Sequence, residues 1–131
     1  MKILANLIIV SVDMSNSKIY VISEIDKEDG FSFPKLEITE DNKRVLEEIL
    51  TNKAVSITGG NKYELFPQII VHHYEDDYSN NEDVLNLVFG FLVTVNSQQE
   101  IKNNNYEWKE YLFTEKYKNQ ESINDTLTRL K

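Results

Sequence analysis

The chain has 131 residues, 40% of them hydrophobic and 27% charged, with no cysteine and a formal net charge of −8. This length fits one domain able to bury a single core, and the composition is too apolar for a disordered chain. Without cysteine there is no disulfide, Cys-ligated zinc, iron–sulfur cluster or thiol catalysis, and so acidic a surface argues against general nucleic-acid binding while leaving room for a locally cationic pocket.

The longest apolar stretches, Leu7–Val12 and Leu85–Val95, fall far short of the ~20 residues a spanning helix requires, and Asn86 interrupts the second. Lys2 followed by Ile3–Val12 loosely imitates a secretion signal. It lacks a small-residue cleavage site and runs straight into Asp13, so it reads as a first buried strand. With neither signal, the expected location is the cytoplasm and no membrane partner is expected.

No repeat and no Pro-, Gly- or Ser-rich linker divides the chain, so residues 1–131 read as one domain. Ile3–Val12 has the composition of a buried strand, and Ser15-Asn16-Ser17 is turn chemistry. Lys18–Ser23 alternates and reads as the second arm of a hairpin. Ile25–Gly30 is an acidic loop, and Phe31–Leu36 is a short segment whose Pro34 belongs at a strand end or edge. Thr39–Thr51 is the best helix candidate, with Val45, Leu46, Ile49 and Leu50 at helical spacing and Glu40, Asp41 in its first turn. Thr39 or Asp41 is its expected N-cap. Burial of aliphatics outweighs exposed ion pairs, so Val45 and Ile49, with Leu46 or Leu50 beside them, are expected to face the sheet, leaving Lys43, Glu47 and Glu48 in solvent. Ala54–Thr58 reads as a short strand, Gly59-Gly60-Asn61 as a turn and Leu65–His73 as another strand. Tyr74–Asp83 is an acidic, Asn-rich loop, and Val84–Val95 is the most emphatic strand. Tyr106–Phe113, rich in aromatics, reads as a last strand, and Asn119–Leu130, with Ile123, Leu127 and Leu130 in register, as a closing amphipathic helix. Strands and helices do not alternate regularly, so the class is α+β: a mixed sheet flanked by a mid-chain helix and a C-terminal helix.

That order, with four local strings, resembles the Nudix family. Ala5–Val12 with Lys18–Ser23 looks like the family's opening hairpin, and Gly30-Phe31-Ser32-Phe33-Pro34 like its G-x-W-x-L-P approach. Asp83–Val95 looks like the long central strand, and Glu107-Trp108-Lys109-Glu110-Tyr111-Leu112-Phe113 like the E-H-x-E-Y-x-W strand before the final helix. The resemblance implies a Nudix-like fold and, in its ordinary form, Mg2+- or Mn2+-dependent hydrolysis of nucleoside-diphosphate compounds, the metals held by Glu residues of one helix.

The box that carries those residues, G-x5-E-x7-R-E-U-x-E-E-x-G-U with U apolar, is degenerate here. Lys35-Leu36 stand where Gly-Gly follows the proline, and the ungapped pattern puts R-E and E-E on Leu50-Thr51 and Ala54-Val55. Shifts that place either pair on Glu47-Glu48 spoil the other. The resemblance therefore implies the scaffold more than the catalysis. The leading expectation is a domain that has lost metal-dependent pyrophosphohydrolysis. It would bind a nucleotide-type small molecule, between the mid-chain helix and the central strand, or a protein partner. Lys35, Lys43 and Arg44 would supply phosphate-directed charge, and Trp108 a stacking surface. The alternative is a divergent pyrophosphohydrolase, with Glu47 and Glu48 catalytic and Mg2+ or Mn2+ held by a set drawn from Glu37, Glu40, Asp41, Glu47 and Glu48.

Blander readings compete with each of these. Glu37, Glu40 and Asp41 complement a helix N-terminus, Lys43–Glu47 and Arg44–Glu48 form surface pairs, and the aromatics of Tyr106–Phe113 belong to the core. His72-His73 next to Glu75-Asp76-Asp77 is rich in metal-capable groups, yet neighbouring strand residues point to opposite faces. A third reading takes the acidic loop Tyr74–Asp83 as a docking surface of a regulatory module.

Overall fold

The computed structural model describes residues 2–13, 15, 17–25, 30–59, 65–68, 74–75, 84–93, 101, 105–117 and 120–129. Strand β1, Lys2–Asp13, is buried without interruption from Ala5 to Ser11, which is why its sequence is a continuous apolar run rather than an alternating one. It lies at the centre of a mixed sheet. Along one edge it pairs in parallel with β6, Val84–Val93, in a register that runs from Lys2 opposite Val84 to Ser11 opposite Val93. Beyond β6 lie β4, Leu65–Gln68, and the two-residue β5, Tyr74–Glu75, both antiparallel to it.

The other edge of β1 is divided. Its C-terminal half forms a hairpin with β2, Lys18–Glu24, with Val10 opposite Val21 and Asp13 opposite Lys18. The Asp13 carboxylate closes the turn by accepting from the Ser15 amide (3.1 Å) and hydroxyl (2.7 Å). The N-terminal half pairs with β3, Lys35–Glu37. Between these two stretches β1 and β2 part, and residues 30–34 fill the gap. The Leu7 amide donates to the Pro34 carbonyl (2.9 Å), the Glu24 amide to the Ser32 carbonyl (2.8 Å), and the Ser32 amide to the buried Ser23 Oγ (2.9 Å). Pro34 contributes a carbonyl where only an acceptor is needed, and it sits at a strand end as expected. The far edge of β2 pairs antiparallel with β7, Tyr106–Glu110, from Tyr20 opposite Glu110 to Glu24 opposite Tyr106.

The two faces of the sheet carry separate cores. Ala5, Leu7, Ile9, Ile22, Phe89, Phe91 and Val93 pack under helix α1, Leu46–Thr58, against Leu50, Ala54 and Ile57. Ile8, Val10, Val21 and Val88 face the other way, joined by Phe31, Phe33, Tyr111 and Ile123 of helix α2, Gln120–Arg129. On α2, Ile123 is buried and Leu127 half-buried; Leu130, the third residue of the expected stripe, lies outside the described residues.

Helix α1 corrects the sequence reading. The helix begins later and ends later than Thr39–Thr51, and Ala54–Thr58 is its last part, not a strand. Leu50, Ala54, Ile57 and Thr58 form an i, i+4, i+7, i+8 stripe that runs straight past the polar Asn52-Lys53. Gly59 makes the real stop in the left-handed region (φ 72°), its amide donating to the Val55 carbonyl (2.8 Å). Upstream, the Thr39 amide donates to Asn42 Oδ1 (2.8 Å) and the Asn42 amide to Thr39 Oγ1 (3.4 Å). This reciprocal bond, with Asn42 Nδ2 on the Glu37 carbonyl (3.0 Å), closes a separate turn that leads into a 3₁₀ turn at Lys43–Val45. Neither Thr39 nor Asp41 caps α1, and Glu40 and Asp41 lie outside its first turn. The rotation differs too: Val45 is 46% exposed and Ile49 half-buried, while Leu50 is the core residue. Lys43, Glu47 and Glu48 are exposed as expected.

The strand expected at Ala54–Thr58 is helical, and Tyr74–Glu75 pairs with β6 inside the expected loop. Strand β7 ends at Glu110, and Tyr111 continues only as an amide donating to the Ile19 carbonyl (2.8 Å). The expected strand residues 69–73, 94 and 95 and the turn at Gly60-Asn61 lie outside the described residues.

Leu50→Ala is expected to cost roughly 2–5 kcal/mol in urea unfolding, as a cavity in a closed core does, and Val45→Ala less than about 0.5 kcal/mol. Equal losses at the two positions would mean that the helix is rotated the other way.

Candidate functional site

The start of α1 carries most of the candidate residues. Glu47 and Glu48 occupy its first turn, where the helix dipole favours carboxylates, and both project into solvent. Arg44, Val45, Glu47, Glu48, Thr51 and Asn52 line an open depression of about 440 Å³ on this outer face. The structure thus brings Arg44, Glu47 and Glu48 together. Among the described residues the i, i+4 pairs Lys43–Glu47 and Arg44–Glu48 do not close into ion pairs; Lys18–Glu110 does (3.8 Å).

The remaining candidates are dispersed. Glu37 is exposed on β3, and Glu40 and Asp41 are exposed in the turn before the helix. Among the described residues no three His, Asp or Glu side chains come together in a group suited to a metal ion. Lys35 is exposed on β3, its Nζ donating to the Phe33 carbonyl (3.3 Å). Trp108 stands on β7, opposite Ile22, half-buried against the α1-side core, and lines no part of the depression. The space between α1 and β6, expected to be a cleft, is packed with Leu50, Ala54, Ile57, Phe89, Phe91 and Val93. His72, His73 and most of the acidic segment 74–83 lie outside the described residues.

Two features escaped the sequence reading. Asn6 and Asn86 are fully buried on neighbouring central strands, and two-residue alternation puts them on the same face as Ile8 and Val88. Asn6 Nδ2 donates to Asn86 Oδ1 (2.9 Å) and, more weakly, to the Leu87 carbonyl (3.3 Å). Asn6 Oδ1 and Asn86 Nδ2 have no partner among the described residues. Each such group costs about 1–3 kcal/mol, so the pair is a stability liability in the middle of the core. Asn86 was visible as the break in an apolar run; Asn6 gave the same signal in β1. The second feature is a cavity of about 490 Å³ between β1, β2, β6 and α2, reached past the exposed Phe113.

Tyr111 and Tyr117 belong to this side of the molecule, whereas Tyr106 packs on the α1-side core. Burial raises the Tyr111 hydroxyl above the usual phenol range, the neighbouring Tyr117 adds to the shift, and hydrogen bonds to Asn124 and Gln120 oppose it. Burial raises Tyr106 as well, aided by the Glu24 carboxylate. No described helix is long and apolar enough to cross a membrane.

Against known proteins, no family model and no curated protein matches the sequence. Solved structures do. A Nudix-family hydrolase from Clostridium perfringens superposes over 98% of this chain and 97% of its own at 14% identity, with a TM-score of 0.61. The fold is Nudix-like. The NUDIX domain of Shewanella oneidensis NrtR, solved with ADP ribose, covers 98% of this chain and 88% of its own at 11% identity and the same TM-score of 0.61. A MutT/nudix protein from Enterococcus faecalis aligns with 83% of this chain at 10% identity and a TM-score of 0.52, and this chain spans 43% of its length. The Nudix-like, α+β expectation is thereby met. At these identities the likeness concerns the fold, and the fold does not bring the function with it.

Both phenol shifts favour the neutral form in the folded chain. Their contribution is complete below pH ~10 and is lost as pH rises through the raised values. The urea midpoint is expected to fall above about pH 10, and Tyr111→Phe to flatten that fall. A wild-type midpoint that rises in that range would contradict the assignment.

Proposed function

We propose that this chain is a Nudix-fold binding domain for a nucleotide-type small molecule, without the metal-dependent pyrophosphohydrolysis of ordinary Nudix enzymes. The observation that carries the reading is the composition of α1. From Leu50 to Thr58 the helix has no carboxylate, its inward stripe is spent on the core, and its only acids, Glu47 and Glu48, stand exposed in the first turn. Adjacent residues point about 100° apart on a helix, so this pair alone is a poor chelate. Arg44 beside the depression, with Lys43 exposed next to it, supplies cationic donors for phosphate on a chain of net charge −8. The ADP ribose held by the structurally similar NrtR domain makes that compound the first ligand to try.

One observation favours a second reading, a divergent Mg2+- or Mn2+-dependent pyrophosphohydrolase: Glu47, Glu48 and Arg44 do share one depression. A metal there would have to draw on Glu47 and Glu48 as hard oxygen ligands, and it would polarise a bound diphosphate. A protein partner, and a cytoplasmic location, stand as further expectations that nothing in the geometry favours over the small-molecule reading.

Thermal shift with ADP-ribose and nucleoside diphosphates in the presence of EDTA tests the proposal. Stabilisation that survives chelation is expected, weakened about tenfold or more in affinity by Arg44→Ala, the loss of a charge-assisted contact. No shift with any of these compounds at millimolar concentration would remove the ligand. Phosphate release with Mg2+ or Mn2+ that disappears in the Glu47→Gln/Glu48→Gln variant would establish the enzyme instead.

A further inference from the structure

Helix α1 packs over β1 and β4, and beside it the same face of the sheet continues across β2 and β7. Two-residue alternation puts Tyr20 and Glu24 on this face with Ile22, and Glu110 with Tyr106 and Trp108. Ile22 is buried, and the other five are part-exposed. The register sets them in three rungs: Glu24 opposite Tyr106, Ile22 opposite Trp108, and Tyr20 opposite Glu110. The Ile25 amide donates to the Asn105 carbonyl and the Tyr111 amide to the Ile19 carbonyl. The three rungs therefore fall on the alternate, non-hydrogen-bonded positions of the ladder, where facing side chains stand closest.

The strip has a repeating chemistry. Each end is a carboxylate beside a phenol, and the middle is an indole on an aliphatic floor. Burial, and then the Glu24 carboxylate, raise the Tyr106 hydroxyl, as a charge beside that ring would. At the other end Glu110 already attracts a cation: Lys18 Nζ lies 3.8 Å from its Oε1, on a side chain that is 49% exposed. Aromatic faces and carboxylates share a preference for cations. Successive rungs on one face are about 7 Å apart, and the two ends about 13 Å. A second extended chain repeats at the same interval, so every other side chain of it meets a rung. Arginine suits all three, because its planar guanidinium both stacks on rings and pairs bidentately with carboxylates.

We propose that this strip is a docking surface for an extended basic segment of a partner protein, with arginines at i, i+2 and i+4. The outer arginines pair with Glu24 and Glu110 against the phenols, and the middle one stacks on Trp108. Lys18 is a resident competitor, displaced from Glu110 when the segment binds. The net charge of −8 favours the approach of such a partner, and the rungs give it a register. The strip shares no residue with the depression at Arg44.

Trp108 is the chain's one tryptophan, so its emission reports on the strip directly. The test titrates the full chain, at low ionic strength, with two peptides of one composition, Ser-Arg-Ser-Arg-Ser-Arg-Ser and Ser-Ser-Arg-Arg-Arg-Ser-Ser. The alternating peptide is expected to change the emission and to bind about three- to tenfold more tightly than the blocked one, whose adjacent arginines point to opposite faces when extended. Glu24→Gln and Glu110→Gln should each weaken it about two- to fivefold. Lys18→Gln should tighten it by more than Lys116→Gln, which makes the same charge change at an exposed position off the strip. The proposal falls if neither peptide changes the emission at millimolar concentration, or if the two bind equally. It also falls if neither glutamine variant weakens binding, or if Lys18→Gln gains no more than Lys116→Gln. An emission that shifts with protein concentration alone would overturn it as well, since a second copy would then cover the strip. ADP-ribose stabilisation is expected to be unchanged in the strip variants, so the site at Arg44 is tested separately.

Discussion

The architecture depends on one constraint: where β1 and β2 part, the backbone groups of both strands must still be satisfied. A central strand cannot leave amides and carbonyls unpaired in a dry core. Residues 30–34 meet that need on two sides at once, accepting from Leu7 through the Pro34 carbonyl and from Glu24 through the Ser32 carbonyl. Ser23, fully buried, takes the Ser32 amide, and Lys109 reaches across from β7 to the Gly30 carbonyl at 2.6 Å while lying 5.0 Å over the Phe31 ring. Gly30 turns into this wedge at φ 153°, a conformation that is costly with a Cβ. The anchors carry Phe31 and Phe33 into the core beneath α2.

Much of the rest follows from the wedge. On its other edge β2 pairs with β7, which positions Tyr111 at the end of that strand. The wedge delivers the chain to β3 beside β1, and from there to the Thr39–Asn42 turn that sets where α1 can begin. The depression at Arg44 and the cavity at Asn124 lie on opposite faces of the sheet. The outer one is polar and open because the helix stripe is spent on the sheet. The inner one is apolar because Val10, Val12 and Leu92 point into it from strands whose opposite faces pack under α1.

The buried Asn6–Asn86 pair runs against this economy. Two apolar residues would pack there without leaving a donor and an acceptor that have no partner among the described residues.

The sequence by itself determined the class, the Nudix-like order of elements, both central strands and the C-terminal helix. Each of these is written in local patterns: long apolar runs for strands buried on both faces, and a spaced stripe for the helix. Tertiary structure alone decided the span and rotation of α1. Ala54–Thr58 is strand-prone by composition, and two polar residues precede it; only contact with Leu7, Phe89 and Phe91 makes Leu50, Ala54 and Ile57 one continuous stripe. It likewise decided that Asn6 meets Asn86 and that Tyr111 meets both Asn124 and Phe113. Such pairs are distant in the chain or set by side-chain direction, and local periodicity holds no information about either.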